Sequence, residues 1–239
     1  MKKIFICFLT GILLLTCAST SVISQESESK SNINLGADVM SRYIWRGTDF
    51  GNAPAIQPTV SYSIAGFEIG AWGAYSIGGA GFQEADLYAS YTFLKDMFTL
   101  GATDYFFPAA IPNNKYFDYD DKTTNHVLEG NFSFNGTDKI PLTFAANYNF
   151  WGWNKDNSWY FEVGFNGSVK QTDYNIFMGF TPDKGIYMPD GSTGFSVVNV
   201  GLSASREVKI TDSFSLPLQA SLITNPQAQN IFLVFGFSL

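Results

Sequence analysis

From Asn32 to Gly47 the chain reads NINLGADVMSRYIWRG, and written as a strand it has two unlike faces. Ile33, Leu35, Ala37, Val39, Tyr43 and Trp45 fall on one side of an extended chain; Asn34, Gly36, Asp38, Met40, Arg42 and Arg46 fall on the other. Successive strand residues point to opposite faces, so this period of two places a strand between two unlike environments. A soluble sheet shows such a pattern in places. A membrane β-barrel shows it in every strand, because one face meets lipid and the other meets water.

Twelve segments of this kind are predicted: 33–46, 55–64, 67–77, 84–94, 97–106, 125–134, 140–151, 159–167, 173–181, 195–205, 213–223 and 231–239. In 84–94, Ala85, Leu87, Ala89, Tyr91 and Phe93 alternate with Glu84, Asp86, Tyr88, Ser90 and Thr92. Asp104 breaks the rule by falling on an apolar face, which predicts a bulge or the outer end of a strand there. Every second connection is short: Ala65-Gly66, Lys95-Asp96, Asn135–Lys139, Ser168–Thr172 and Arg206–Asp212. The two longest, Phe107–Thr124 and Pro182–Gly194, belong to the other set. An even strand count with short turns at one end and long loops at the other is the plan of a bacterial outer-membrane barrel. Closure also removes the sheet edges that an open sheet of such strands would expose.

The N-terminus adds an export reading. Lys2 and Lys3 precede an apolar run, Ile4 to Leu15, that is short for a membrane span, and a small residue stands at Ser24. This predicts a signal peptide over 1–24, a short polar segment over 25–31 and a barrel over 32–239. An alternative is a lipid anchor at Cys17. Both cysteines, Cys7 and Cys17, lie in the leader, so the mature chain has no disulfide, thiol nucleophile or thiolate metal site. Losing Lys2 and Lys3 makes the mature chain two units more negative than the −7 of the full sequence. That balance argues against a nucleic-acid partner, which requires a basic patch. Charged residues are 15% of the chain and aromatic residues 17%; a soluble protein averages about 25% charged.

The run SRYIWRGTDFGNAPAIQPTVSYS, followed by FEIGAWGAYS and EADLYASYTF, resembles the opening of the TorF-family porins of Gram-negative bacteria. The matching positions are Ser41-Arg42-Tyr43, Arg46-Gly47, Pro54-Ala55, Gln57, Glu84 and Asp86-Leu87-Tyr88. The final run SLPLQASLITNPQAQNIFLVFGFSL is similar to the ending of the Bacteroidota members. The resemblance implies a barrel in the outer membrane, in contact with lipid and lipopolysaccharide, that passes small solutes or ions. It also implies insertion by the barrel-assembly machinery through the terminal strand. Leu239 stands where such proteins usually end in Phe, which leaves Phe235 and Phe237 to supply the aromatic signal. The resemblance carries over no catalytic residue.

The polar faces supply the candidate pore lining: Asp38, Arg42, Arg46, Glu68, Glu84, Asp86, Glu129 and Glu162. Acids outnumber bases there, and a narrow passage lined by carboxylates favours cations. In one continuous strand Arg42 and Arg46 share a face and sit about 13 Å apart. The same charges can instead pair across the interior and plug it, so a conducting and a closed barrel both remain open. Tyr43, Trp45, Tyr62, Tyr75, Tyr91, Tyr148, Phe150 and Trp159 fall near strand ends and predict an interfacial aromatic girdle. Enzyme chemistry finds no constellation: His126 is the sole histidine and has no nucleophile motif around it. Asp118, Asp120 and Asp121 lack the glycine and distal Glu of a calcium loop. No cofactor or metal is expected.

Overall fold

Alternation becomes wall wherever the strands close on one another. The computed structural model describes residues 32–78, 82–108, 115–188 and 191–239. The predicted leader and cleavage site, Cys17 and the predicted polar segment 25–31 lie outside the described residues. Twelve antiparallel strands form a closed barrel: β1 (Ile33–Met40), β4 (Ala55–Ile64), β5 (Phe67–Ser76), β6 (Gln83–Phe93), β7 (Phe98–Phe106), β8 (His126–Phe134), β9 (Leu142–Gly152), β10 (Trp159–Val169), β11 (Thr172–Thr181), β12 (Ser196–Lys209), β13 (Ser215–Asn225) and β14 (Asn230–Ser238). Neighbours in the chain are neighbours in the wall, and β1 pairs with both β4 and β14. The twelve-stranded, up-and-down arrangement is as expected. Two further strands, β2 (Ile44–Trp45) and β3 (Thr48–Asp49), form a separate hairpin.

The apolar faces point outward. Leu35, Ile69, Leu87, Leu100, Leu142, Ile176, Leu233 and Phe235 are all exposed on the outer surface. Their alternating neighbours point inward: Gln57, Ser61, Trp72, Glu84, Asp86, Tyr88, Asn131, Asn147 and Asn175 are buried. A barrel that holds an apolar ligand within would show the opposite orientation, and this one does not. The predicted girdle positions Tyr62, Tyr75, Tyr91, Phe150 and Trp159 are exposed, and Tyr148 stacks on Trp159 with ring centroids 4.3 Å apart.

Three local features refine the expected register. Asp104 sits opposite Leu87 and Leu128 without a break in either ladder, close to the long-loop end of β7. There it is capped from outside: Tyr119 donates to Oδ2 at 2.7 Å and His126 Nδ1 lies 2.6 Å from Oδ1. The register shifts fall elsewhere, at Leu128/Glu129 and Gly179/Phe180. Pro58 lacks an N–H, and the pairing of β4 with β5 passes from Ile56 to Thr59.

The larger departure concerns β1. A single strand over 33–46 is predicted, but β1 ends at Met40. Its pairing with β14 covers only Asp38–Met40 with Gly236–Ser238. Ser41 closes this short seam, donating its N–H to the Phe235 carbonyl at 2.8 Å and accepting the Phe235 N–H on Oγ at 3.0 Å. Past Ser41 the chain leaves the wall and turns inward. Tyr43 and Trp45, expected on the outer girdle, are therefore buried in the interior. They join Trp72, Tyr88, Tyr105, Phe107, Val127, Tyr160, Tyr187 and Val198 in one apolar cluster. Twelve strands enclose more space than wall side chains fill, since about eight strands give an interior that side chains alone can close.

Inner-wall glycines make room for these rings. A Cβ on Gly179 would meet the Tyr160 ring, with Cζ at 2.6 Å, whereas a Cβ on Gly130 meets nothing within 4 Å. Gly179→Ala is expected to displace Tyr160 and cost about 1–3 kcal/mol, with Gly130→Ala neutral within about 0.5 kcal/mol. Urea midpoints of the two refolded variants, read by heat-modifiable gel mobility, check this; equal midpoints would show that Tyr160 is not packed as described.

Candidate functional site

The site begins at a two-residue turn. In the β2–β3 hairpin Ile44 pairs with Asp49 and Trp45 with Thr48, so Arg46 and Gly47 form its tip. Both have positive φ, 48° and 80°. Two left-handed residues in succession are what a tight hairpin with right-handed strand twist requires. Gly47 suits it; Arg46 bears a cost of about 1 kcal/mol or more for a Cβ in that region. A side chain at Gly47 would also strike the Val198 carbonyl. Asn225 Nδ2 donates to the Gly47 carbonyl at 3.3 Å, so the tip is tied to the end of β13.

Arg46 carries the chemistry. Its Nη1 and Nη2 donate to Glu129 Oε2 and Oε1 at 2.6 and 2.9 Å, a two-pronged pair with side-chain exposures of 5% and 0%. Tyr105 Oη and Asn131 Nδ2 donate to the same Oε1 at 2.9 and 2.7 Å. Nη1 also donates to the Tyr187 hydroxyl. The guanidinium carbon stands 4.6, 4.5 and 5.5 Å from the ring centres of Trp45, Tyr160 and Tyr187. A buried cation needs a carboxylate and polarisable faces, and here it has both.

Tyr187 comes from the loop between β11 and β12. That loop is tied by Asp183, which accepts the Lys184 and Gly194 N–H groups at 2.8 and 3.3 Å. Those two bonds hold its carboxyl below the usual range. Lys184 Nζ reaches Asp156 at 2.7 Å and Ile186 N–H donates to Ser158 Oγ at 2.9 Å, docking this loop on the β9–β10 connection.

The other predicted lining residues divide by depth. Glu84 and Asp86 are 2% exposed, beside Tyr43 and Trp72, and the Phe106 N–H donates to Asp86 Oδ1 at 3.3 Å. Glu162, also 2% exposed, accepts from Tyr160 Oη and from Asn199 Nδ2, the latter at 3.0 Å. Toward the short-turn end, Glu68 accepts from Ser63 and Tyr88 at 3.0 and 2.7 Å, and Ser238 donates to Asp38 at 2.5 Å. These two, with Asn34, Ser90, Thr92 and Ser203, are half-buried. The interior is therefore packed under the long loops and partly solvated toward the turns.

Arg42 corrects the sequence reading. It lies beyond the end of β1, its side chain is 38% exposed, and it donates to Asp49 at 2.5 Å and to Asn52 within its own loop. It shares no strand face with Arg46 and lines nothing. The expectation failed because β1 ends before it. The inward Tyr105, Tyr160 and Tyr187, which hold Arg46 and Glu129, carried no motif; Tyr160 alone was legible as inward by its place on a polar face.

His126 is fully buried on the outer side of the wall, under the β7–β8 connection. Its ring nitrogens meet Asp104 Oδ1 and the Tyr116 carbonyl, both at 2.6 Å, and Tyr119 stacks on it at 4.3 Å. It fastens that loop. Asp118 and Asp120 accept hydrogen bonds from their own loop, including Thr123 Oγ1 to Asp118 at 2.9 Å. Among the described residues no group of three or more His, Cys, Asp or Glu is placed to hold a metal ion.

A closed antiparallel barrel with an apolar outside, a polar inside and an in-folded first loop is the build typical of outer-membrane barrel proteins. The chain belongs to the family described as bacterial protein of unknown function (Gcw_chp), which matches residues 24–213. The matched span runs through β1 to β12 and includes the hairpin and Glu129. No curated protein matches the chain.

Removing one partner of a buried pair typically costs about 3–5 kcal/mol, whereas replacing both by apolar groups is often neutral. Arg46→Ala should therefore lower the urea midpoint sharply, and Arg46→Met with Glu129→Leu should recover most of the loss. A double variant as weak as the single would show that the pair is not the interaction holding the hairpin.

Proposed function

We propose that this protein is an outer-membrane channel for small solutes and ions, and that the β2–β3 hairpin is the element that keeps it closed. The hairpin carries the reading. A wide polar interior is spanned by the first loop, and that loop is held at its tip by a charged clasp. An interior meant only for packing has no need of the polar wall that lies beneath it. The outward apolar face suits lipid, the short turns with the start of β1 and the end of β14 suit the periplasmic side, and the long loops suit the cell surface. The resemblance to TorF-family porins supports the same reading.

Selectivity follows from charge. Asp38, Glu68, Glu84, Asp86, Glu129 and Glu162 face inward, and among them Arg46 neutralises one. With the hairpin withdrawn, the lumen is acidic and prefers cations. Transport is passive, and the chain is assigned no catalysis. Its partners are outer-membrane lipid and lipopolysaccharide, and the assembly machinery that takes up the β14 strand.

A second reading rests on the packing itself. Glu129 and Asn147 are completely buried and Tyr160 nearly so, which also suits a non-conducting barrel with a structural role. Planar-bilayer recordings separate the two. Replacing Tyr43–Phe50 by a short Gly-Ser linker should give larger, cation-selective steps than the wild type, and Glu84→Gln with Asp86→Asn should lower that selectivity. Silence from the linker variant, with insertion verified by heat-modifiable mobility, would sink the channel reading and leave the structural one.

A further inference from the structure

The clasp that holds the hairpin has the composition of a ligand site. Its wall and loop components are Glu129, Tyr105, Tyr160 and Tyr187, contributed by β8, β7, β10 and the β11–β12 loop. None belongs to the hairpin. Three groups other than Arg46 converge on Glu129: Tyr105 and Asn131 donate to Oε1, and Tyr187 Oη lies 3.5 Å from Oε2. Tyr160 is anchored in turn through its hydroxyl to Glu162 and Asn199, the latter at 2.9 Å. The carboxylate and the Tyr160 ring are therefore held by groups outside the hairpin, and Tyr187 packs on Tyr160 at 5.3 Å.

We infer that this cage is a binding site for small alkylguanidinium solutes, and that Arg46 is its built-in occupant. A solute of that class competes with Arg46 for Glu129 and shifts the hairpin out of the lumen. The solute's path to the cage rests on the channel reading; the binding itself does not.

Arg46 defines the chemistry. Two parallel N–H groups meet the two oxygens of one carboxylate at 2.6 and 2.9 Å, a geometry that a planar guanidinium makes and a compact ammonium does not. Ring faces at 4.5 and 5.5 Å suit a flat, weakly hydrated cation. The hairpin is also a replaceable occupant. Its Arg46 sits at φ +48°, a conformation an L side chain adopts at a cost, and a free solute bears no such strain. A group on a short flexible tether acts at an effective concentration of about millimolar, and the packing of Tyr43 and Trp45 adds to that hold. A competing solute therefore acts at millimolar concentration or above, as suits a passive channel rather than a high-affinity receptor.

The probe is methylguanidinium chloride, used far below denaturing concentration, with tetramethylammonium chloride as the cation control. In refolded Arg46→Ala, whose cage is vacated, tryptophan fluorescence should change saturably at millimolar methylguanidinium. Adding Glu129→Gln should weaken the response about tenfold or more, as expected for loss of a charge-assisted pair. In the wild type, methylguanidinium should speed hydrogen exchange over residues 43–50, and tetramethylammonium should not. If Arg46→Ala fails to fold, the wild-type exchange decides alone. No saturable response in a folded Arg46→Ala, an equal response after Glu129→Gln, unchanged wild-type exchange, or an equal effect of tetramethylammonium would each overturn the site. Saturable binding together with silent bilayers would keep the site and reject the channel.

Discussion

The interior is organised around one guanidinium. Arg46 and Glu129 are 83 positions apart, one on a loop and one on the opposite wall, and their pair is removed from water. Such a pair adds little net stability over an apolar substitute, because desolvation offsets most of the attraction. It does define geometry: a buried guanidinium is tolerated only where a carboxylate and ring faces already stand. Glu129, oriented by Tyr105 and Asn131, and the rings of Tyr160 and Tyr187 meet that condition together, so the hairpin enters in one orientation and the loop carrying Tyr187 folds over it.

The barrel makes this necessary. A strand with an apolar outside leaves its polar side chains to the lumen, and twelve such strands enclose a volume those side chains cannot fill. Under the long loops it is filled by bringing the wall's own continuation inside. Tyr43 packs on Trp72 at 5.4 Å, and Trp45 on Tyr105 at 5.7 Å, building an apolar core within a polar cylinder. Toward the short turns no loop among the described residues enters, and Asp38 and Glu68 keep partial contact with solvent. The two halves are thus different materials: one packed, one wet.

The wall was readable residue by residue. Glu84 to Phe93 alternates without exception in the sequence and in the structure, because each residue's choice is local: lipid-like surface on one side, lumen on the other. The side-chain placements that failed lie just past Ser41, whereas elsewhere the differences are of strand ends, as where β12 runs on to Lys209 through a predicted turn. Tyr43 and Trp45 continue the same period of two, so they looked like girdle aromatics, and Arg42 looked like a lumen charge. Alternation cannot report that a strand has left the wall, since a hairpin turning inward alternates as well. Arg46-Gly47 was the available sign: a Gly after a long side chain, where a two-residue turn needs two positive φ values. It was not decisive, as most such turns carry Asn or Asp ahead of the Gly.

Sequence alone determined what depends on neighbours along the chain: strand number, which face is apolar, the alternation of short turns and long loops, and the inward acids Asp38, Glu68, Glu84, Asp86, Glu129 and Glu162. The tertiary structure decided what depends on contacts between distant segments. It took Tyr43 and Trp45 from the outside to the inside, removed Arg42 from the lumen, and joined Arg46 to Glu129 between rings from three different elements. The physical reason is one of range. Period and polarity act between adjacent residues, whereas the place of a buried cation is chosen by the far wall that can satisfy it.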